Sequence, residues 1–168
     1  MQQINKDIVV TKNFLPENIF KNIQQLVSSP DFGWFYQKEQ NPYAKDGFFF
    51  SHKLYDKDDI ISNHYNNIIF NIFRKKLNYQ TLVRAQFNLI TRYDKARRSI
   101  FHRDFENKIM TTGIFYINEN NGYTEFESGE KIKSISNMFV EFPINLKHRA
   151  VSQTDVDVRV VLNLNYYK

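Results

Sequence analysis

A chain of 168 residues is long enough to bury a real core without staples, and with no cysteine it excludes disulfide frameworks, thiolate metal sites and cysteine nucleophiles. Aromatic residues make up 16%, with 16 Phe and 10 Tyr, which favours strands around a large core. The formal net charge is +5, but Lys and Arg are scattered apart from Arg74-Lys75-Lys76 and Arg97-Arg98, so the charge suits anionic ligands more than a nucleic-acid face.

No apolar h-region follows residues 1–7, and the longest apolar runs are only a few residues long, so a cytoplasmic location without membrane contact is expected. The length predicts one domain over 1–168, with a helical and aromatic support over 1–80 and a strand-rich core over 81–168. Residues 8–11 read as a short strand. Pro16 and Glu17 start a helix that continues through Ile19, Ile23, Leu26 and Val27, and Ser28-Ser29-Pro30 ends it. Residues 33–36 and 47–50 are strand-like and flank the turn signal Asn41-Pro42-Tyr43.

Asp58-Asp59 is expected to open the longest helix, with both acids at its positive end. Ile61, Tyr65, Ile68, Ile69, Ile72, Phe73 and Leu77 form its apolar stripe, and Arg74-Lys75-Lys76 closes its last turn. From Thr81 the pattern changes. Val83, Ala85, Phe87 and Leu89 alternate with Arg84, Gln86, Asn88 and Ile90, and 94–98 is a loop. Strands are predicted over 99–104, 110–118, 123–127, 129–135, 138–142 and 156–167, with a turn at Asn120-Asn121-Gly122. Helices followed by about eight short strands predict an α+β, mainly β chain, a jelly roll with its helices packed on one sheet.

Within the strand-rich half lie His102-Arg103-Asp104, then His148, then Arg159. If 99–104 is a strand, His102 and Asp104 point to one face and can converge on one ion. Two imidazoles and one carboxylate form a facial set that suits Fe(II). An arginine on a later strand can hold a carboxylate through two parallel hydrogen bonds. Either histidine alone reads as a polar residue at a rim; the ordered set with Arg159 reads as a metal site. His52 and His64 have no partner at ligand spacing, although His52 could line a substrate cleft.

The ordered elements resemble those of the 2-oxoglutarate/Fe(II)-dependent dioxygenases, in particular the small prolyl-4-hydroxylase-like branch and compact members carried by phage genomes. Arg92-Tyr93 precedes a loop and His102-Arg103-Asp104; Gly113 to Asn118 is similar to a family strand ending in Tyr-Leu-Asn. Asn121-Gly122-Tyr123-Thr124-Glu125-Phe126 and Met138 to Pro143 resemble the next two family strands, and His148 and Arg159 close the order. The resemblance implies a double-stranded β-helix. It also implies Fe(II) on His102, Asp104 and His148, and Arg159 on the distal carboxylate of 2-oxoglutarate. Tyr93 and Tyr116 match tyrosines around the co-substrate, each with core packing as the alternative, and Asn163 matches a small polar residue. The implied reaction is hydroxylation by O2 with release of succinate and CO2, with ascorbate as a reductant and no catalytic residue beyond the metal ligands. A phage-type member would act in the host cytoplasm.

Trp34, Tyr36, His52 and Arg92 are substrate-side candidates, since the aromatic segment 33–55 can form a lid or peptide wall, or else cover the core. A peptidyl, prolyl-type side chain is the expected substrate. A free amino acid, another small molecule or a nucleobase is the alternative, and a non-catalytic binding module the third reading. Against a nucleobase, the related demethylases of alkylated bases carry a second arginine downstream in this strand, and none follows Arg159 in the run to Tyr166.

Overall fold

The computed structural model describes residues 6–38, 47–106 and 109–168. The turn predicted at Asn41-Pro42-Tyr43 lies outside the described residues. The chain is mainly β, with antiparallel strands in two sheets. Its elements are β1 (Val9–Thr11), α1 (Glu17–Val27), β2 (Phe35–Lys38), β3 (Phe48–Asp56), β4 (Asp59–Ile60), a helical segment α2, β5 (Thr81–Thr91), β6 (Thr111–Tyr116), β7 (Asn120–Phe126), β8 (Lys131–Ser134), β9 (Met138–Pro143), β10 (His148–Val151) and β11 (Val158–Tyr167). The α2 segment is π-wound over Asn66–Phe73 and α-wound over Arg74–Leu77. The larger sheet has the order β1-β9-β6-β11-β5-β3-β2, with β4 paired to β3, and the smaller sheet runs β10-β7-β8.

Period-two alternation gives the large sheet two different faces. Leu162, Leu164 and Tyr166 of β11, Ala85 and Phe87 of β5 and Phe115 of β6 pack against Phe20, Ile23 and Val27 of α1 and Ile68, Ile69 and Phe73 of α2. Ile114 and Tyr116 of β6, Val161 of β11 and Met138, Val140 and Phe142 of β9 lie on the opposite face, in one cluster with Phe126 and Ile132 of the small sheet. The inter-sheet face of β11 thus also carries Arg159, Asn163 and Asn165.

Several expectations are corrected. The second helix does not begin at Asp58-Asp59. Asp58 has a left-handed backbone (φ 74°), Asp59 and Ile60 form β4, and the helix starts only after a turn that contains His64. Two acids that would suit a helix start serve a hairpin instead. The basic cluster does occupy the last turn, as expected. Val83 breaks the β5 alternation because it is the extra residue of a β-bulge: Asn165 faces Arg84 while Tyr166 faces Leu82. Asn120-Asn121-Gly122 is not a turn but the bulged start of β7. Asn121 is held there by Thr154 and Asp155. Residues 99–104 are not a regular strand; they run beside β10 with isolated bridges at Arg98–Val151 and His102–His148. The β10 strand, with only four residues, had no separate sequence signal.

Gly113 sits where β6 passes the fully buried Phe139 ring. A Cβ at Gly113 would come within 2.9 Å of Phe139 Cε2, and that ring is already stacked on Phe14 at 4.5 Å. Gly113→Ala should therefore destabilise the fold by about 1–3 kcal/mol through overpacking. Chemical denaturation of the two proteins measures this, and an unchanged midpoint would contradict it.

Candidate metal centre

His102, in the irregular segment beside β10, is opposed to His148 of β10 through an isolated antiparallel bridge. His102 N donates to His148 O, and His148 N donates to His102 O, each at 3.0 Å. A closely hydrogen-bonded antiparallel pair puts both side chains on one face, and the imidazole centroids are 4.8 Å apart. His102 Nδ1 lies 3.1 Å from Ile100 O and His148 Nδ1 lies 3.4 Å from Leu146 O. A carbonyl only accepts, so the protons belong on Nδ1, and both Nε2 lone pairs are left for a ligand. Burial first, then His102 and Arg84, hold His148 below the usual imidazole range, against the pull of Asp104. A neutral imidazole is the form that binds a metal.

Asp104 completes the set: one donor atom from each of His102, Asp104 and His148 lies within 4.8 Å of the others, and Asp104 Oδ1 is 3.7 Å from His102 Nε2. Its carboxylate is gripped from behind. Asn165 Nδ2 donates to Oδ2 at 2.8 Å, Thr112 Oγ1 lies 3.5 Å from the same oxygen, and Arg84 Nη2 is 3.3 Å from Oδ1. Arg84 Nε in turn donates to Asn165 Oδ1 at 3.0 Å. Burial opposes ionisation of Asp104, but Arg84, His148, Asn165 and His102 together bring its carboxyl below the usual carboxylate value. These contacts favour the ionised aspartate and fix its direction.

Arg159 is 2% exposed. Its Nε donates to Ser134 Oγ at 2.8 Å and its Nη2 to Thr124 Oγ1 at 3.3 Å, and its guanidinium lies 5.7 Å from the centroid of the Tyr116 ring. Tyr116 Oη donates to the same Thr124 oxygen at 2.7 Å, so Thr124 keeps its own O–H to donate. Among the described residues no carboxylate forms an ion pair with Arg159. A buried guanidinium without a counter-charge is costly unless an anion binds it. Space for Arg159 depends on Gly122, where a Cβ would stand 3.0 Å from Arg159 Cδ and 2.8 Å from Asn120 Oδ1.

His102, Asp104, His148, Thr124, Arg159 and Asn163 all line one cavity of about 570 Å³. Asn163 Oδ1 is buried there with no hydrogen-bond partner among the described residues. The donor set fits a divalent transition metal. The lone guanidinium beside a spare hydroxyl fits a carboxylate on the same wall.

The chain matches no family model and no curated protein. Solved structures do match it. A Pseudomonas putida prolyl-4-hydroxylase superimposes with TM-score 0.66 at 12% identity, over 96% of this chain and 93% of its own. An oxidoreductase of the 2OG-Fe(II) oxygenase family from Burkholderia pseudomallei gives 0.68 at 9% identity, over 96% and 85%. A Trichoplax adhaerens prolyl hydroxylase, in complex with a peptide fragment of the hypoxia inducible factor oxygen degradation domain, gives 0.68 at 13% identity, over 97% and 84%. The chain has the fold of the 2OG-Fe(II) oxygenases.

On this oxygenase fold the remaining predicted residues occupy different places. Tyr93 lines the cavity beneath the Arg97 guanidinium, 4.6 Å away. Tyr116 stands behind the wall, against Thr124 and Arg159. Trp34 is off the wall: it packs with Phe32 and the helix-side core and donates to Val27 O. His52 is off it as well, because Gly33 O at 2.6 Å and Ser62 Oγ at 2.8 Å occupy both ring nitrogens. Arg92 is exposed and pairs with Asp157. Tyr36 is exposed beside the mouth against Phe48, while its strand neighbours Gln37 and Lys38 do line the cavity. Sequence reasoning missed Arg84, Thr112 and Asn165 around Asp104, and Thr124 and Ser134 around Arg159. Asn165 shares strand parity with Arg159 and Asn163, and that parity was a readable signal.

The metal assignment has a direct test by titration of the protein with Mn(II) in a calorimeter. Asp104→Ala should remove measurable binding, and Asn165→Ala should weaken it about 10–100-fold by freeing the carboxylate. Parent-like affinity in Asp104→Ala would exclude the site.

Proposed function

We propose that this chain is an Fe(II)- and 2-oxoglutarate-dependent dioxygenase, built on a double-stranded β-helix, that hydroxylates a peptidyl side chain of the prolyl type. The observation that carries this is the meeting, in one cavity, of the His102, Asp104 and His148 donors with a buried Arg159 that has no carboxylate partner among the described residues. His102, Asp104 and His148 would hold Fe(II). Arg159, with the Thr124 hydroxyl, would hold the distal carboxylate of 2-oxoglutarate. When bound, Fe(II) with 2-oxoglutarate and O2 supplies a hydroxylation coupled to formation of succinate and CO2.

The protein's own contribution is placement and exclusion of water. Tyr116 and Ser134 hold Arg159 in direction, so a carboxylate that enters finds a rigid partner. Arg84, Asn165 and Thr112 do the same for Asp104. Ile114 and Val161 line the inner cavity and would limit water beside these charges. Phe48, Phe49 and Tyr93 line the same cavity and offer flat faces for a proline-containing segment, whose backbone is preorganised. That two of the compared structures are prolyl hydroxylases, one of them in complex with a peptide, supports this substrate class.

Arg159→Ala should raise the KM for 2-oxoglutarate by the equivalent of about 2–5 kcal/mol, the cost of losing a buried charge-assisted pair, with Mn(II) affinity retained. An unchanged KM would take Arg159 out of the site. The substrate class is read from succinate release across proline-rich peptides, free amino acids and methylated oligonucleotides, with mass spectrometry showing one added oxygen on the product. Stimulation by amino acids or oligonucleotides alone would reject the peptide.

A further inference from the structure

The cavity wall carries cations far in excess of acids. Among the described residues, Lys38, Arg84, Arg97, Arg98, Arg103 and Arg159 line it, against a single carboxylate, Asp104. Arg84 contacts Asp104, and Arg159 is assigned above to the co-substrate carboxylate. The other four are exposed, which places them at the rim and not among the buried residues of the floor. Two rim arginines are held in place. Arg97 lies over the Tyr93 ring at 4.6 Å, and Arg103 Nε donates to Asn145 O at 2.8 Å. The backbone of Arg98 is bridged to Val151. A concave mouth lined by one sign of charge concentrates the opposite charge at the entrance.

We infer, resting on the hydroxylase reading, that the substrate is an extended acidic segment of a protein, with carboxylate side chains flanking the residue that enters the cavity. The strand β2 favours a polypeptide over a nucleic acid. It is the last strand of the large sheet, and among the described residues its outer edge has no strand partner. Its far end, Gln37 and Lys38, forms part of the cavity wall. An open strand edge presents alternating N–H and C=O groups. A peptide backbone matches that alternation, whereas a phosphodiester, which has only acceptors, does not. Phe35 and Tyr36, both more than 60% exposed, add apolar surface to the two faces of the same strand. A segment laid along this edge would reach the rim arginines before its central residue reached the metal centre.

The test uses the Mn(II)- and 2-oxoglutarate-loaded protein and three fluorescein-labelled peptides, each with a central proline flanked by glutamate, glutamine or lysine. Anisotropy should show the glutamate peptide binding about tenfold tighter than the glutamine one, with the gap closing as salt rises. The double variant Arg97→Glu/Arg103→Glu should move the preference to the lysine peptide, a gain that misfolding cannot produce. Equal binding of the glutamate and glutamine peptides, preference of the parent for lysine, or tighter binding of a single-stranded oligonucleotide than of any peptide would each overturn the proposal. Oxygen gain on the peptide is read separately by mass spectrometry, with the protein loaded with Fe(II) and 2-oxoglutarate in air. Binding without oxygen gain fails the hydroxylase reading, and oxygen gain without charge preference fails this one.

Discussion

Two reciprocal backbone hydrogen bonds, between His102 and His148, set the geometry of the candidate metal centre. They close the irregular segment 98–102 onto β10 and so set two imidazoles side by side on the inter-sheet face. Asp104 follows two residues later, after the chain has left the bridge. It is steered by side chains instead of strand geometry: Asn165 from β11, Arg84 from β5 and Thr112 from β6. The centre is therefore a joint between the two sheets. The small sheet supplies His148 and the large sheet supplies the groups that aim Asp104.

The same division of labour recurs at Arg159. It stands on β11, but its partners Thr124 and Ser134 come from β7 and β8 across the inter-sheet space. The bulge at the start of β7 brings Gly122 against its side chain, and no other residue type fits there without pushing Asn120 or Arg159 aside. Burying a guanidinium with neutral partners leaves electrostatic energy that an anion can recover, so binding is coupled to relief of a cost already present in the fold. Helix-side packing of Leu162, Leu164 and Tyr166 supplies the apolar burial on which such a polar inner face rests.

The two faces of the large sheet explain what could be read in advance. On β11 and β5, alternation separates Leu162, Leu164, Ala85 and Phe87 from Arg159, Asn163, Arg84 and Gln86, and a period-two pattern is local, so it survives in the linear sequence. Where local signals competed with tertiary ones they misled. Asp58-Asp59 resembles a helix start, yet it forms a hairpin because β3 continues and pairs with β4. Asn120-Asn121-Gly122 resembles a turn, yet Asn121 is tied down by Thr154 and Asp155 and the residues join β7 as a bulge. The aromatic segment at 33–55 divides: Trp34 and His52 face the helix-side core, while Phe48 and Phe49 face the cavity.

The sequence by itself determined the mainly β character, the order of His102, Asp104 and His148 and the later arginine, and the shared face of Arg159 and Asn163, because each is a matter of residue type and short-range periodicity. Tertiary structure alone decided that His102 pairs with His148, that Arg84 and Asn165 orient Asp104, and that among the described residues Arg159 is buried without a carboxylate and four further cations line the mouth. These are contacts between strands distant in the chain. Their partners are chosen by sheet register and by which charges the folded interior isolates from water, and neither leaves a mark on a local stretch of sequence.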